Sequence, residues 1–291
     1  MHRNALGCSR GGSRGGVGAE IRRGFTMVEL LLVIAIIILI VSVLFAVGQP
    51  LRQGALRTKC LVNQRSIALA CQVYATDFDG RRPSPRTDKL SPEAGMGTVG
   101  NPWVNCTQSA GTLINNVEQP GSLEKGVLWP YMNLIHDSYR SPLDPTKRVR
   151  SYSLSSFVGV GGVYPNVNPP NLCDDLYDTY GKRTVMSSQV RQPAATMAII
   201  PEEDAPGYNR HGWVLEVRDI VYTNKWVDLP SFWDGNRVNI AMMDGSTKSL
   251  NILSPKIINA MKSFGNNYVE PSPAPVYRVM RQYMLPGSIP F

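Results

Sequence analysis

The sequence predicts an α+β protein, with a long N-terminal helix that begins in a membrane and an antiparallel β-sheet in the rest of the chain. Residues 30–47 form an unbroken apolar run of 18 residues in which Ser42 is the only polar side chain, which is typical of a transmembrane helix. An amphipathic segment follows, and short stretches rich in β-branched and aromatic residues then alternate with Gly and Pro. The composition, 43% hydrophobic and 18% charged, is that of a globular protein and excludes a wholly disordered or collagen-like chain.

The segment after Pro50 has the pattern of an amphipathic helix, because apolar residues recur at three- and four-residue steps. Joined to the apolar run, it predicts one helix from Phe25 to about Thr76. The residues of the apolar stripe are Leu56, Cys60, Ile67, Cys71 and Tyr74.

Antiparallel strands are predicted at residues 151–163, 194–200 and 213–222, which are rich in β-branched and aromatic residues and bounded by Gly or Pro. The alternation on both sides of Asp244 and Gly245 predicts a β-hairpin, since an Asp-Gly pair supplies the positive φ angles of a tight turn. These features place the sheet in the second half of the chain.

A short helix is predicted after Ser254, because an N-cap serine, a proline and a later Gly265 stand in the proper order. The prolines at 271, 273 and 275 predict a stiff, extended connector. Residues 79–111 and 166–184 are rich in Gly, Pro and polar residues and are predicted to be long surface loops.

The formal net charge of +8 is unevenly distributed along the chain. Residues 1–24 carry +4 of it, and the remaining +4 shows no dense Lys/Arg block of the kind that binds phosphates. A nucleic-acid-binding domain is therefore not favoured.

The five cysteines predict neither a disulfide scaffold nor a zinc site, because they are scattered and lack a C-x-x-C spacing. Cys60 and Cys71 share a helix face but would lie roughly 16 Å apart along the axis, too far for a disulfide. Cys106 and Cys173 would either pair in an oxidising compartment or remain free buried thiols.

The string GFTMVELLLVIAIIILIVSVLF, which begins at Gly24, closely resembles the N-terminal signature of type IV prepilins and type II secretion pseudopilins. In that family a prepilin peptidase cleaves after the glycine and methylates the new N-terminus. The resemblance implies cleavage after Gly24 and N-methylation of Phe25. It also implies a pilin-like fold with a leader peptide at 1–24, a transmembrane or filament-core half-helix at 25–49, an amphipathic half-helix at 50–76 and an extracytoplasmic α+β domain at 77–291.

Glu29 is an acidic residue at the head of the apolar run, where a carboxylate is costly and by default functional. Cleavage after Gly24 would create a cationic amine nearby, and the two charges can be paired. The resemblance implies that Glu29 pairs with the N-terminal amine of a neighbouring subunit during assembly. A secretory signal peptide cleaved near residues 46–48 and an uncleaved anchor are the alternatives, but both the 18-residue run and Glu29 argue against a signal peptide.

Three further blocks, residues 57–85, 126–145 and 237–251, resemble a subfamily of large prepilin-like proteins known for a C-terminal His-x9-Asp-Gly motif. Two positions depart from that subfamily. Asp234 stands where the motif has its histidine, so no role of that histidine can be transferred, and Ser141 stands where a cysteine commonly precedes the proline.

Candidate metal ligands are few. His136 and His211 have no second His or Cys at ligand spacing, which favours structural or surface roles. The Asp77-x-Asp79-Gly80 string is similar to the opening of a calcium loop, but a helix-ending turn is the favoured interpretation.

Glu202, Glu203 and Asp204 follow a predicted strand and are candidate calcium ligands, but solvated acids at a strand end are the favoured interpretation. No phosphate loop or dinucleotide fingerprint is present in the sequence. The sequence therefore predicts no enzyme, no cofactor and no metal site.

The resemblance implies a prepilin-like structural subunit that assembles into a type II secretion pseudopilus or a type IV pilus-like filament. Its expected partners are prepilin peptidase, other pilin-like subunits and the assembly platform, and its expected location is the inner membrane, with one span and an extracytoplasmic C-terminal domain. One alternative is an anchored ligand-binding domain that does not polymerise, which an aromatic cleft around Trp213, Trp226 and Trp233 would favour. An anchored hydrolase would need a nucleophile or metal constellation that the sequence does not contain.

Overall fold

The computed structural model contains a long N-terminal helix and an antiparallel sheet, which confirms the predicted α+β class. The helices are α1 (Met27–Asp77), α2 (Pro120–Glu124), α3 (Pro255–Phe264) and α4 (Pro275–Arg281). The strands are β1 (Tyr152–Leu154), β2 (Met197–Pro201), β3 (Lys225–Trp226), β4 (Arg237–Met242), β5 (Thr247–Asn251) and β6 (Tyr268–Val269). The structure describes residues 24–85, 87, 102–104, 120–146, 148–159, 187–203, 212–215, 224–265 and 268–284.

The chain divides into two compact units, Met1–Pro50 and Leu51–Phe291. In the first unit, the described side chains of α1 are exposed all around the helix. The hydroxyl of Ser42 donates a hydrogen bond to the Leu39 carbonyl at 2.8 Å, so the one polar side chain of the apolar run is satisfied within the helix. This part of α1 is long and apolar enough to cross a membrane.

In the second unit, residues 51–77 of α1 form the predicted amphipathic helix. Cys60, Ile67 and Tyr74 are buried on one face and pack in a cluster with the sheet. The helix ends in a turn at Asp79 and Gly80, whose φ angles are 53° and 82°. The favoured interpretation of this string as a helix-ending turn is therefore confirmed.

Four strands form one sheet in the order β1-β2-β4-β5, and all neighbouring pairs are antiparallel. The predicted hairpin is confirmed, with Ala241 of β4 paired to Thr247 of β5 and Gly245 at a φ of 84°. The Asp244 carboxylate accepts hydrogen bonds from both the N–H and the hydroxyl of Ser246, at 2.8 and 2.6 Å, and these bonds fix the turn.

The two faces of the sheet contribute to two apolar clusters. Ile240 and Met242 of β4 pack in one cluster with Met261 of α3. Ala241, which lies between them in sequence, packs in the other cluster with Ile67 of α1. Because side chains alternate between the two faces of β4, the sheet lies between residues 51–77 of α1 and helix α3.

The strands are shorter than the sequence predicts. Residues 151–159 of the predicted strand 151–163 are described, and of these only 152–154 form a strand. A 3-10 helix at Pro193–Ala195 delays the start of β2 to Met197. Trp213 forms a single isolated bridge to Ser155, and residues 216–222 of that predicted strand lie outside the described residues.

Helix α3 forms as predicted, because the Ser254 hydroxyl accepts a hydrogen bond from the Ile257 N–H at 3.3 Å and the Gly265 N–H closes the C-terminus. The predicted extended connector at 271–275 is wrong, since Pro275 is the first residue of α4. A proline in the first turn costs a helix nothing, because its missing N–H would have no intrahelical partner there.

Several predictions fall outside the described residues. Most of the predicted loop at 79–111 and all of the loop at 166–184 are among them. The leader before Gly24, and also Cys106, Cys173, Asp204 and His211, lie outside as well.

Candidate processing and assembly site

Gly24 and Phe25, the predicted processing residues, lie just before the first turn of α1. Both are exposed, and a side chain built on Gly24 would meet no atom of the described residues within 4 Å. The peptide bond after Gly24 therefore lies in an open, non-helical stretch next to the helix start.

Glu29 forms a reciprocal cap with Thr26. The Glu29 carboxylate accepts hydrogen bonds from the N–H and from the hydroxyl of Thr26, both at 2.8 Å, and the Thr26 hydroxyl accepts one from the Glu29 N–H at 3.2 Å. This is a capping box, in which an N-cap threonine and a glutamate three residues later satisfy each other's free N–H groups. The sequence interpretation of Glu29 missed this role, although the Thr26-x-x-Glu29 spacing is its usual signature.

The three sequence blocks with the subfamily resemblance meet on residues 51–77 of α1. The Asn63 side-chain amide donates to the carbonyls of Asp137 and Arg140, at 3.2 and 2.9 Å. The Gln72 side-chain amide donates to the Met243 carbonyl at 2.7 Å, in the turn of the β4–β5 hairpin. These contacts join the helix to the second block and to the third.

Gly245 of this hairpin turn has a second requirement besides its positive φ. A Cβ on this residue would lie 2.9 Å from a methyl carbon of Leu69 on α1. Gly245, whose Asp-Gly pair predicts the turn, therefore also allows the hairpin turn to approach α1 closely.

Asp234, which the sequence resemblance aligns with a histidine, is a buried carboxylate that anchors residues 51–77 of α1. Arg57 donates to it through Nε at 2.6 Å and through Nη2 at 2.8 Å. Asn239 and Gln53 add bonds of 2.9 and 3.3 Å. Burial alone would raise the pKa of Asp234, but the hydrogen bonds from Arg57, Asn239 and Gln53 outweigh burial and hold the pKa below its ordinary value.

Ser141, in the position where the subfamily commonly has a cysteine, faces Cys60. Its hydroxyl lies 3.3 Å from the Cys60 sulfur, and both side chains are buried. Burial raises the pKa of the Cys60 thiol, so this thiol stays protonated at neutral pH. Cys60 and Cys71 are both free, as the predicted distance along the helix requires.

The face of α1 opposite the buried one carries an exposed stripe within residues 51–77. Leu51, Val62 and Val73 are 67%, 54% and 53% exposed. The hydroxyls of Thr58 and Ser66 donate to helix carbonyls four residues earlier, both at 3.0 Å, which leaves no unmet donor on the stripe. The exposed stripe consists of Leu51, Ala55, Thr58, Val62, Ser66 and Val73.

The candidate metal ligands are engaged in other contacts. His136 Nε2 lies 3.0 Å from a Glu124 carboxylate oxygen, and its ring packs on Trp129. The Asp77 carboxylate accepts a hydrogen bond from the Tyr131 hydroxyl at 2.8 Å. In the part of the chain that the structure describes, no group of three or more His, Cys, Asp or Glu side chains is arranged to hold a metal ion.

Glu202 and Glu203 follow β2, but their surroundings do not indicate a calcium loop. The Ser153 hydroxyl donates to the buried Glu202 carboxylate. Burial raises the pKa of Glu203, so water does not solvate this carboxylate freely. The two residues are partly or fully buried, and the expectation of solvated acids at a strand end is wrong for them.

The aromatic residues named for a ligand cleft do not form one together. Trp213 and Trp226 are fully buried and meet edge to face, with ring centroids 6.2 Å apart. Trp233 is partly exposed and lies under the Arg148 guanidinium, 5.0 Å from its ring centre. Two of the three tryptophans therefore belong to the hydrophobic core.

Comparison with protein-family models, with curated proteins and with solved structures finds no match for this chain.

Proposed function

We propose that this chain is a prepilin-like structural subunit with a pilin-like fold. A prepilin peptidase cleaves it after Gly24 and methylates Phe25, and the mature chain assembles into a type II secretion pseudopilus or a type IV pilus-like filament. The observation that carries the proposal is the arrangement of residues 24–29, where an open Gly24–Phe25 bond, a helix start and Glu29 occur within six residues. Together with the resemblance of this string to prepilins, the arrangement supports processing at this bond.

Glu29 supplies the charge that assembly needs. Cleavage leaves a cationic amine on Phe25, directly before the Thr26 residue that already bonds the Glu29 carboxylate. In hydrocarbon, both the amine and a carboxylate are costly unless they are paired. We assign to Glu29 the pairing with the amine of a neighbouring subunit, and its bonds to Thr26 hold the carboxylate at the helix start.

The surface of α1 also supports assembly. Its first part is apolar and exposed in the isolated chain, and the exposed stripe offers a row of apolar or internally bonded side chains within residues 51–77. Exposed apolar surface of this extent is unfavourable in water and is typical of membrane or protein contacts. Neighbouring subunits and the inner membrane are the partners that we assign to it.

An anchored, monomeric ligand-binding domain is the alternative. Its aromatic cleft would need Trp213 and Trp226 at the surface, but both are buried in the core. The alternative therefore has less support than assembly, and no catalytic role is assigned to any residue.

The first test is mass spectrometry of the N-terminal peptide of the native, membrane-extracted protein. We expect a chain that begins at Phe25 and carries one extra methyl group. The Gly24→Leu variant should keep its leader, whereas the matched Gly18→Leu variant should be processed normally. A chain that begins near Gln49 would show an ordinary signal peptide, an intact leader would show an uncleaved anchor, and either result would refute the proposal.

A further inference from the structure

A cavity of about 510 Å³ lies beside the C-terminal end of α1 and the turn of the β4–β5 hairpin. Its volume lies within the range of about 300–1,000 Å³ that is usual for small-molecule sites. Its walls combine apolar, polar and charged residues, among them Ala75, Arg82, Ser187, Val190, Met243 and Asp244.

Arg82 is the unusual residue of this wall, because it is a cation with only 5% of its surface exposed. Among the described residues, its side-chain partners are the Ser187 hydroxyl, at a long 3.5 Å, and the thiol of Cys71. Burial raises the pKa of Cys71 to about 11, so the thiol is protonated and neutral at neutral pH. Among the described residues, the partners of Arg82 therefore provide no full negative charge.

Two other guanidinium groups of this domain are paired differently. Arg57 bonds the Asp234 carboxylate at 2.6 Å, and Arg148 lies 3.2 Å from the Asp144 carboxylate. A buried cation whose described partners are neutral is costly, and burial lowers the pKa of Arg82 accordingly. An anion that enters the cavity would remove this cost.

We propose that the cavity binds a small organic monocarboxylate, whose carboxylate group pairs with Arg82. The planar guanidinium donates two parallel hydrogen bonds to a carboxylate. Ala75, Val190 and Met243 give the hydrocarbon part of such a ligand an apolar wall. This inference goes beyond filament assembly and does not depend on it.

The charge around the cavity selects against more highly charged anions. The cavity is lined by Asp244 and by the last turn of α1. The Asp244 carboxylate is negative, and the C-terminal end of a helix carries a partial negative charge. A dianion such as phosphate therefore meets more repulsion than a monocarboxylate.

The test uses the full-length protein in detergent micelles and measures its unfolding temperature at constant ionic strength with three salts. Sodium propionate is the monocarboxylate probe, sodium phosphate is the dianion and sodium chloride is the baseline. Propionate should raise the unfolding temperature above the chloride value in a saturable way. Phosphate stabilises folded proteins in general because it is excluded from their surface, so its effect should rise with concentration without saturating. Stabilisation by propionate that does not exceed that by chloride or does not saturate, or a saturable effect of phosphate at lower concentrations than that of propionate, would overturn the proposal.

Variants locate the effect. Arg82→Gln should raise the apparent Kd for propionate about tenfold or more, because the charged partner is lost. Arg81→Gln, an exposed neighbour, should leave the Kd unchanged. If Arg82→Gln does not fold, Arg82→Lys keeps a cation but not the planar fork and should still weaken propionate binding. An unchanged Kd in the tested Arg82 variant, or an equal loss in Arg81→Gln, would refute the site.

Discussion

Arg57 and Asp234, which are 177 residues apart in sequence, form a bidentate ion pair that joins helix α1 to the chain just before β4. The Asp234 side chain is 3% exposed, whereas 28% of the Arg57 side chain is exposed. The two partners therefore differ in what their loss leaves behind. Without Arg57 the buried carboxylate keeps only the neutral amide donors of Asn239 and Gln53, but without the Asp234 charge water can still reach the cation.

This asymmetry predicts unequal costs for two substitutions. Arg57→Met should lower the free energy of unfolding by about 3 kcal/mol, because it strands a buried charge. Asp234→Asn should cost only about 1 kcal/mol, since an amide can keep part of the hydrogen bonding. Chemical unfolding of the full chain in detergent measures both, with Lys59→Met as an exposed control expected within about 0.5 kcal/mol of wild type. Equal losses for Arg57→Met and Asp234→Asn would contradict the assigned asymmetry.

The same ion pair predicts how stability depends on pH. The pKa of Asp234 is lowered in the folded state, so the unfolded chain takes up a proton first as the pH falls. The stabilisation is fully present above the ordinary aspartate pKa of about 4 and is lost as the pH falls through the lower folded pKa. Unfolding measured in this acidic window should show a shallower loss of stability for Asp234→Asn than for wild type. Lys59→Met should keep the wild-type slope, and a wild-type slope in Asp234→Asn would contradict the prediction.

The sequence predicts structure that depends on neighbouring residues, but it does not predict contacts between distant residues. Helix α3 follows from its Ser254 cap and its Gly265 end, both of which lie within one short segment. The Arg57–Asp234 pair has no local signature, because only folding brings its partners together.

Helix α4 shows why a local pattern was misread. Three alternate prolines predict an extended connector, but the N–H groups of Val276 and Tyr277 bond the buried Glu270 carboxylate, at 3.1 and 2.9 Å. This cap satisfies the free N–H groups of the first turn, so Pro275 becomes a favourable first residue of a helix. The capping box at Thr26 and Glu29 is the opposite case, since its spacing was visible in the sequence.

A disulfide is predicted between Cys60 and an introduced cysteine at position 141. The Ser141 oxygen lies 3.3 Å from the Cys60 sulfur, so Ser141→Cys should place two thiols within bonding reach. In an oxidising compartment the bond should form and stabilise the fold by about 2–4 kcal/mol. Non-reducing mass spectrometry measures the linked peptides. The double variant Ser141→Cys, Cys60→Ser must not cross-link, and a free Cys60 in oxidised Ser141→Cys would contradict the geometry.

The exposed stripe on α1 predicts a defect in assembly without a defect in folding. Val62→Asp and Val73→Asp place a charge on this stripe, where both valines are more than half exposed. The stability of the monomer should change by no more than about 0.5 kcal/mol. Chemical cross-linking in cells that contain the assembly machinery should show fewer multimers for both variants than for wild type. Arg65→Ser, an exposed substitution on the same helix, is the matched control, and normal multimers in both valine variants would remove the stripe from the interface.

Variants of Glu29 and Thr26 distinguish a role in helix capping from a role in filament assembly. Glu29→Gln keeps a side-chain acceptor for the Thr26 N–H but removes the negative charge, whereas Thr26→Ala removes the capping hydroxyl and keeps the charge. Both variants should be cleaved after Gly24, and Thr26→Ala should weaken the helix start by about 1 kcal/mol. If Glu29 pairs with the amine of a neighbour, Glu29→Gln loses multimers in the cross-linking assay and Thr26→Ala retains them. An equal loss of multimers in Glu29→Gln and Thr26→Ala would show that Glu29 acts only by capping the helix. Normal multimers in Glu29→Gln would show that assembly does not need its charge.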